Sequence, residues 1–174
     1  GFGPVLEIQR FLTHTTLSAN VEFTLLDFNS ETVEYTKNIL DRIANKCNWG
    51  GTFRVLKKSV SQLIKNYSEF GRESFDYVYC AGLFDYLPDA VCEKLVALFY
   101  EITAPGGLVL ITNVHVNNTS RGWMEYMVDW HLVYRDANQM NSILPKHIPK
   151  EQIRIYTEAI GVNIFAEIRK PEHG

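Results

Sequence analysis

Val21-Glu22-Phe23-Thr24-Leu25-Leu26-Asp27 reads as a buried strand that ends on an acid. Upstream stand Gly1-Phe2-Gly3-Pro4 and an amphipathic stretch with Val5, Ile8, Phe11 and Leu12 on one face. That spacing, with Pro4 in a first turn, predicts a helix over 4–13. A glycine turn, a helix, a strand and a terminal acid make the half-site that holds a nucleoside by its ribose. Gly1 and Gly3 let backbone approach a ligand closely. Asp27 supplies a carboxylate for the ribose hydroxyls, or else it caps the next helix, a role also open to Ser30. The strand that should feed the glycine turn is expected upstream of Gly1, in a further segment or domain of the same protein.

Working outward, strand and helix signals alternate. Ser30 is the expected N-cap of a helix through Ala44, with Val33, Ile39, Leu40 and Ile43 apolar. A strand over 53–56 and a helix over 60–67 follow. Phe75-Asp76-Tyr77-Val78-Tyr79-Cys80-Ala81 reads as a strand buried on both faces. Pro88–Thr103 is the strongest helix, and Ala104-Pro105-Gly106-Gly107 breaks it before an apolar strand over 108–112. Buried, non-alternating strands separated by helices predict an α/β, Rossmann-like, doubly wound and mostly parallel sheet covered on both faces. The end differs. Ile153–Thr157 and Val162–Ile168 flank a short turn at Gly161, too short for a parallel crossover, so an antiparallel hairpin is expected. The chain reads as one N-terminally truncated domain, 1–174, with 114–150 as a candidate acceptor-binding insertion.

Composition narrows the function classes. The 174 residues are 46% hydrophobic and 21% charged, ordinary for a globular domain. A net charge of −3 with dispersed basic residues gives no reason to expect nucleic acid. Cys47, Cys80 and Cys92 form an odd set without metal-ligand spacing, which predicts reduced thiols in a cytoplasmic protein and no metal site. No apolar run reaches membrane-spanning length. A small-molecule ligand is the expected partner.

The glycine turn, Asp27, Lys58-Ser59-Val60, Cys80-Ala81-Gly82-Leu83-Phe84 and Ala104-Pro105-Gly106-Gly107-Leu108 together resemble class I S-adenosylmethionine-dependent methyltransferases. The resemblance implies S-adenosylmethionine as cofactor. It assigns Gly1 and Gly3 to the glycine-rich motif, Asp27 and Phe28 to the ribose end, Ser59 and Val60 to adenine, and Cys80, Ala81 and Gly82 to the methionine moiety. It also places the absent first strand between the strands at 21–26 and 75–81, at the centre of a seven-stranded sheet. Two departures stand out. Val5 occupies the place of a third motif glycine, and Ser59 the place of an acid for the adenine amino group. Phe23–Asn29, Tyr79–Leu87 and Trp123–His131 are further similar to a bacterial family described as biosynthesis proteins for the extracellular factor 3-hydroxypalmitic acid methyl ester.

The resemblance implies transfer of the sulfonium methyl to a small-molecule acceptor, a fatty-acyl carboxylate or a hydroxyl. A carboxylate needs no base, whereas a hydroxyl would call on His115 or His131. Tyr86 either orients the acceptor or packs. Asp85 is a site acid or the cap of the helix opened by Pro88. Cys80 reads as packing, with its backbone lining the site. Gly82 leaves room that a side chain would fill. Trp123, Tyr126, Trp130 and Tyr134 recur at helical spacings among Glu125, Asp129, His131 and Arg135, so the segment is a pocket or lid, or else core. As a pocket, Trp130 and Tyr134 supply apolar surface and His131 or Arg135 a positive partner. Two other functions fit the same residues, a non-catalytic S-adenosylmethionine-binding module that meets a protein through the aromatic segment, and an NAD(P)-dependent oxidoreductase. Leu6 stands where the latter's fingerprint needs glycine.

Overall fold

A computed structural model of the chain describes residues 6–14, 21–47 and 49–172. Gly1 and Gly3 lie outside the described residues. The chain divides into two compact units, Gly1–Lys65 and Asn66–Gly174, and the strands form two sheets, one in each unit.

The first unit runs α1 (Leu6–His14), β1 (Glu22–Asp27), α2 (Ser30–Cys47), β2 (Thr52–Lys57) and α3 (Val60–Lys65). β1 and β2 pair in parallel from Glu22↔Thr52 to Asp27↔Lys57. α2 buries Val33, Thr36, Leu40 and Ile43, a stripe at three- and four-residue spacing. Leu25 and Leu40 centre the core, with Ile8, Phe23, Ile39, Phe53 and Val55 packed around them. Phe23 meets Phe11 edge-on at 5.6 Å and stacks on Phe53 at 5.7 Å, and Trp49 lies 4.6 Å from Phe53. Such offset and edge contacts suit the ring quadrupoles. α2 begins at Ser30, but its cap is Asn29, whose Oδ1 accepts from the N–H groups of Glu31 and Thr32 at 2.8 and 3.3 Å. The expected Ser30 cap is therefore displaced by one residue, because Ser30 already has helical hydrogen bonding and its hydroxyl accepts from Lys57 Nζ.

The second unit comprises β3 (Phe75–Cys80), α4 (Asp89–Ile102), β4 (Thr103–Val114), α5 (Arg121–Val128), α6 (Ala137–Ser142), β5 (Ile153–Thr157) and β6 (Asn163–Arg169), in sheet order β3-β4-β6-β5. β3 is parallel to β4. β6 lies antiparallel to β4 and to β5, with Ile111↔Ala166 and Ile155↔Ala166 in register. β4 starts earlier than the sequence predicts. Thr103 pairs with Phe75, and the register then shifts before Tyr77 meets Leu108. The glycines make that irregularity. Gly106 holds φ +76°, and a Cβ on Gly107 would stand 2.8–2.9 Å from the carbonyl oxygens of Ala104 and Asp76.

Register assigns the two faces of this sheet. Val109, Ile111, Ile164, Ala166 and Ile168 share one face and are fully buried, and α4 and α6 pack on these strands. The other face carries Tyr77 and Tyr79, stacked 6.2 Å apart, and Tyr156 stacked on Phe165 at 5.2 Å. Tyr77 and Tyr79 are about half exposed. β3 is thus not buried on both faces as its sequence suggests. Alternating tyrosines read as apolar, yet their hydroxyl tips tolerate water.

Candidate functional site

In the first unit, the chain turns from β1 into α2 around Asp27, which is buried. Its Oδ1 accepts from Asn29 N–H at 2.8 Å, closing a tight turn, and its backbone oxygen accepts from Lys58 N–H at 2.8 Å. Asp27 does not cap α2, since Asn29 does. The carboxylate is held rigidly at the carboxyl end of a parallel strand, where open α/β sheets place their ligands. Phe28 follows it and is exposed. Ser59 is engaged otherwise. Its Oγ accepts from Gln62 N–H at 3.2 Å while Gln62 Oε1 accepts from Ser59 N–H at 2.9 Å. This reciprocal pair is a capping box that starts α3 at Val60. The spacing Ser59-Val60-Ser61-Gln62 carries that signal in the sequence itself.

In the second unit, three stretches converge on two buried charged side chains. Arg135 is 1% exposed. Its Nη1 donates to Phe84 O at 2.8 Å and to Asn113 Oδ1, its Nη2 to Leu87 O at 2.8 Å, and both Nε and Nη2 to Asp89 Oδ1 at 3.1 and 2.6 Å. Asp85 Oδ1 accepts from Val114 N–H at 2.7 Å, and its backbone oxygen from Val133 N–H at 2.7 Å. Asn113 Nδ2 donates to Val133 O at 2.7 Å and to Val114 O at 3.0 Å. Burial raises the Asp85 carboxyl above the ordinary aspartate range, opposed by the Val114 N–H and by Arg135. Asp85 does not cap α4, whose N-cap is Pro88. Neither Asp85 nor Asn113 was expected in this role. Asn113 left a trace in the sequence, an amide between the apolar run Leu108–Ile111 and Val114.

Over this network sits the Phe84–Tyr86 turn. Tyr86 and Trp130, both about half exposed, are joined by a hydrogen bond from Trp130 Nε1 to Tyr86 Oη at 2.9 Å. The structure therefore brings together two residues 44 positions apart that the sequence placed on the acceptor side. Trp130 does not share a helix with Trp123. α5 stops at Val128 because Asp129 turns left-handed at φ +51°, and the N–H groups of Asp129 and Trp130 both return to Met124 O. Trp123, Tyr126 and Met127 are exposed, and Met124 is the buried residue of α5. Of the aromatic stripe, Trp123, Tyr126 and Trp130 lie at the surface, while Tyr134 belongs to the core.

The other expected site residues fall as follows. Tyr134 is buried under Arg121, whose guanidinium lies 4.4 Å from the ring centroid. Arg135 faces protein acceptors, so its charge is committed within the fold. His131 is exposed and pairs with Asp129 Oδ1 at 3.0 Å. His115 continues β4, forms a bridge to Arg135, and accepts at Nδ1 from Asn117 N–H at 3.3 Å. Burial pushes the Cys80 thiol up to about 12, so it is protonated at neutral pH and serves packing. Gly82 holds φ +70°, and nothing lies within 4 Å of where a Cβ would stand. Among the described residues, no group of three His, Cys, Asp or Glu side chains could hold a metal ion, and no helix is long and apolar enough to cross a membrane.

No protein-family model and no curated protein matches the sequence. Solved structures share the fold. A SAM-dependent methyltransferase from Methanosarcina mazei is similar with a TM-score of 0.61 and 12% identity, over 99% of this chain and 90% of that one. The S-adenosylmethionine-dependent methyltransferase SibL in its apo form gives 0.62 and 14%, over 97% of this chain and 48% of that one. A possible exported protein from Bordetella parapertussis gives 0.60 and 16%, over 87% and 54%. The chain thus spans about half the length of two of these proteins. At such identities the likeness shows a mixed α/β fold with parallel pairing.

Proposed function

We propose that the chain is part of an S-adenosylmethionine-dependent methyltransferase acting on a small-molecule acceptor. The observation that carries this reading is Asp27, a buried carboxylate fixed at the carboxyl end of a parallel strand, in a fold shared with proteins described as S-adenosylmethionine-dependent methyltransferases. The residues suit such a cofactor. Asp27 accepts hydrogen bonds from the ribose hydroxyls, and Phe28 supplies an exposed ring beside it. Ser59 helps through its backbone more than its hydroxyl, which caps α3. When bound, S-adenosylmethionine supplies an electrophilic methyl group. The protein's own task is alignment, which contributes on the order of 7–11 kcal/mol in favourable cases.

The acceptor reading rests on Tyr86 and Trp130. Tyr86 Oη receives the indole N–H, so its own proton is left to donate to an acceptor oxygen. Trp130 adds apolar surface. A fatty-acyl carboxylate suits this pair, being already nucleophilic at neutral pH. A hydroxyl acceptor would use His131, or His115 through Nε2. Arg135 becomes a positioning residue. A bacterial cytoplasmic setting, in which thiols such as Cys47, Cys80 and Cys92 stay reduced, belongs to the same proposal. The exposed Trp123, Tyr126 and Met127 favour a second reading, a cofactor-binding module that meets a protein partner there.

Calorimetry on the full-length protein tests the first step. S-adenosylmethionine should bind, and NAD should not. Asp27→Ala should weaken binding about ten- to a hundredfold, from a charge-assisted bond of about 1.5–3 kcal/mol. Unchanged affinity in a folded variant removes Asp27 from the site. Methyl-transfer turnover separates the enzyme from the binding module.

A further inference from the structure

We propose that Asp85, Asn113 and Arg135 form a buried polar latch that positions the Tyr86–Trp130 pair. The functional value of that pair rests on the acceptor reading above, whereas the latch itself stands on geometry alone.

The pair cannot hold itself. Both rings are about half exposed, and water competes for their one hydrogen bond. A bond of that kind between exposed groups contributes little net order. Each ring is instead carried on a tethered backbone. On the Tyr86 side, the carbonyls of Phe84 and Leu87 are both held by the Arg135 guanidinium, so the turn is pinned on either side of buried Asp85 and exposed Tyr86. Asp85 pins it a third time, through its side chain to Val114 N–H and its backbone oxygen to Val133 N–H. On the Trp130 side, Val133 is bonded by Asp85 and by Asn113, and Arg135 N–H donates to Val114 O at 3.1 Å.

The end of β4 is the common anchor. Asn113 is 0% exposed, accepts from Arg135 and donates to Val133. Two chain segments with no secondary structure in common are thereby fixed to one strand end and so to each other. The buried members have their polar groups engaged with one another and with backbone, the condition under which a buried network rigidifies what it touches.

The test is the indole N–H resonance of Trp130 in the 15N-labelled full chain, observed alongside Trp49 and Trp123. Tyr86→Phe removes the acceptor and marks the unbonded position. Asp85→Ala and Asn113→Ala should move the Trp130 signal toward that position or broaden it. Asp85→Asn keeps an oxygen for Val114 N–H and should restore it. Ile168→Val, a core change on β6, serves as a control of stability alone and should leave the signal in place. If Asp85→Ala does not fold, Asn113→Ser gives the same reading, being too short to reach Val133 O. A Trp130 signal unmoved by the Asp85 and Asn113 variants overturns the latch, as does one unmoved by Tyr86→Phe or moved equally by Ile168→Val. None of these outcomes depends on S-adenosylmethionine, so failure of the latch and failure of the methyltransferase reading are told apart.

Discussion

Arg135 is a charge withdrawn from water, with bonds to Phe84, Leu87, Asp89 and Asn113 in exchange. Its partner Asp89 lies in the first turn of α4, where a carboxylate also suits the helix dipole. Asp89 is largely exposed and returns to water when Arg135 is lost, so Arg135→Met should destabilise the second unit through the acceptors it strands, Phe84 O, Leu87 O and Asn113 Oδ1, at about 1–3 kcal/mol for each one left buried without a partner. Urea unfolding measures this, and a loss below about 1 kcal/mol, the level of an exposed pair, would contradict it. Asp85 supplies a pH dependence. Burial raises its folded-state pKa, so the folded protein takes up this proton more readily than the unfolded chain. The stability Asp85 contributes is greatest when it is protonated, and it falls as pH rises from the ordinary aspartate range through the raised folded value. Asparagine cannot ionise. The stability of Asp85→Asn relative to the parent should therefore increase toward neutral pH, by at most about 1.4 kcal/mol per pH unit. A difference that stays constant between pH 3 and 7 would count against a raised pKa.

The elements record which signals were local. Parallel strands and amphipathic helices were legible, because apolar runs such as Leu108–Ile111 and stripes such as Val33, Leu40 and Ile43 are written into neighbouring positions. Caps were half legible. Asn29 and Ser30 are both good cap residues, and only the point where β1 releases the chain decides between them. The Ser59–Gln62 box was fully written in the sequence. Ser59→Ala should destabilise α3 by about 0.5–2 kcal/mol. Because the hydroxyl serves the helix, the same change should alter S-adenosylmethionine affinity by less than about threefold, under 0.7 kcal/mol. A tenfold loss of affinity without loss of stability would return Ser59 to the adenine contact. What stayed illegible was non-local. Asp85 meets Val114 across 29 positions and Arg135 meets Asn113 across 22, and no periodicity within a helix or strand encodes either meeting. The helical spacing of aromatics from Trp123 to Tyr134 misled for a related reason, since one left-handed residue, Asp129, ends the helix inside the pattern.

At the scale of the whole molecule, the two units differ in what they bury. Residues 1–65 hold a two-stranded sheet and a core centred on Leu25 and Leu40, while residues 66–174 hold four strands and most of the fully buried side chains. A two-stranded sheet depends on the helices that pack on it, and a unit of this size buries a modest share of its surface. The first unit should therefore lose structure at lower denaturant than the second. Trp49 lies in the first unit's aromatic cluster, so Trp123→Phe/Trp130→Phe leaves a reporter of that unit alone. The Trp49→Phe variant reports the other unit through Trp123 and Trp130. The Trp49 signal should change first on urea titration. Coincident transitions would mean that the chain unfolds as one cooperative body. Ligand then gives the functional reading a thermodynamic signature. A ligand at a hundred times its Kd adds about 2.7 kcal/mol to whatever must be folded to bind it. If Asp27 holds the ribose, S-adenosylmethionine should move the Trp49 transition upward, and Asp27→Ala should abolish that movement at the same ligand concentration. An upward shift that survives Asp27→Ala would place the stabilising contacts elsewhere. A transition unmoved by S-adenosylmethionine at millimolar concentration would leave the first unit without its proposed ligand.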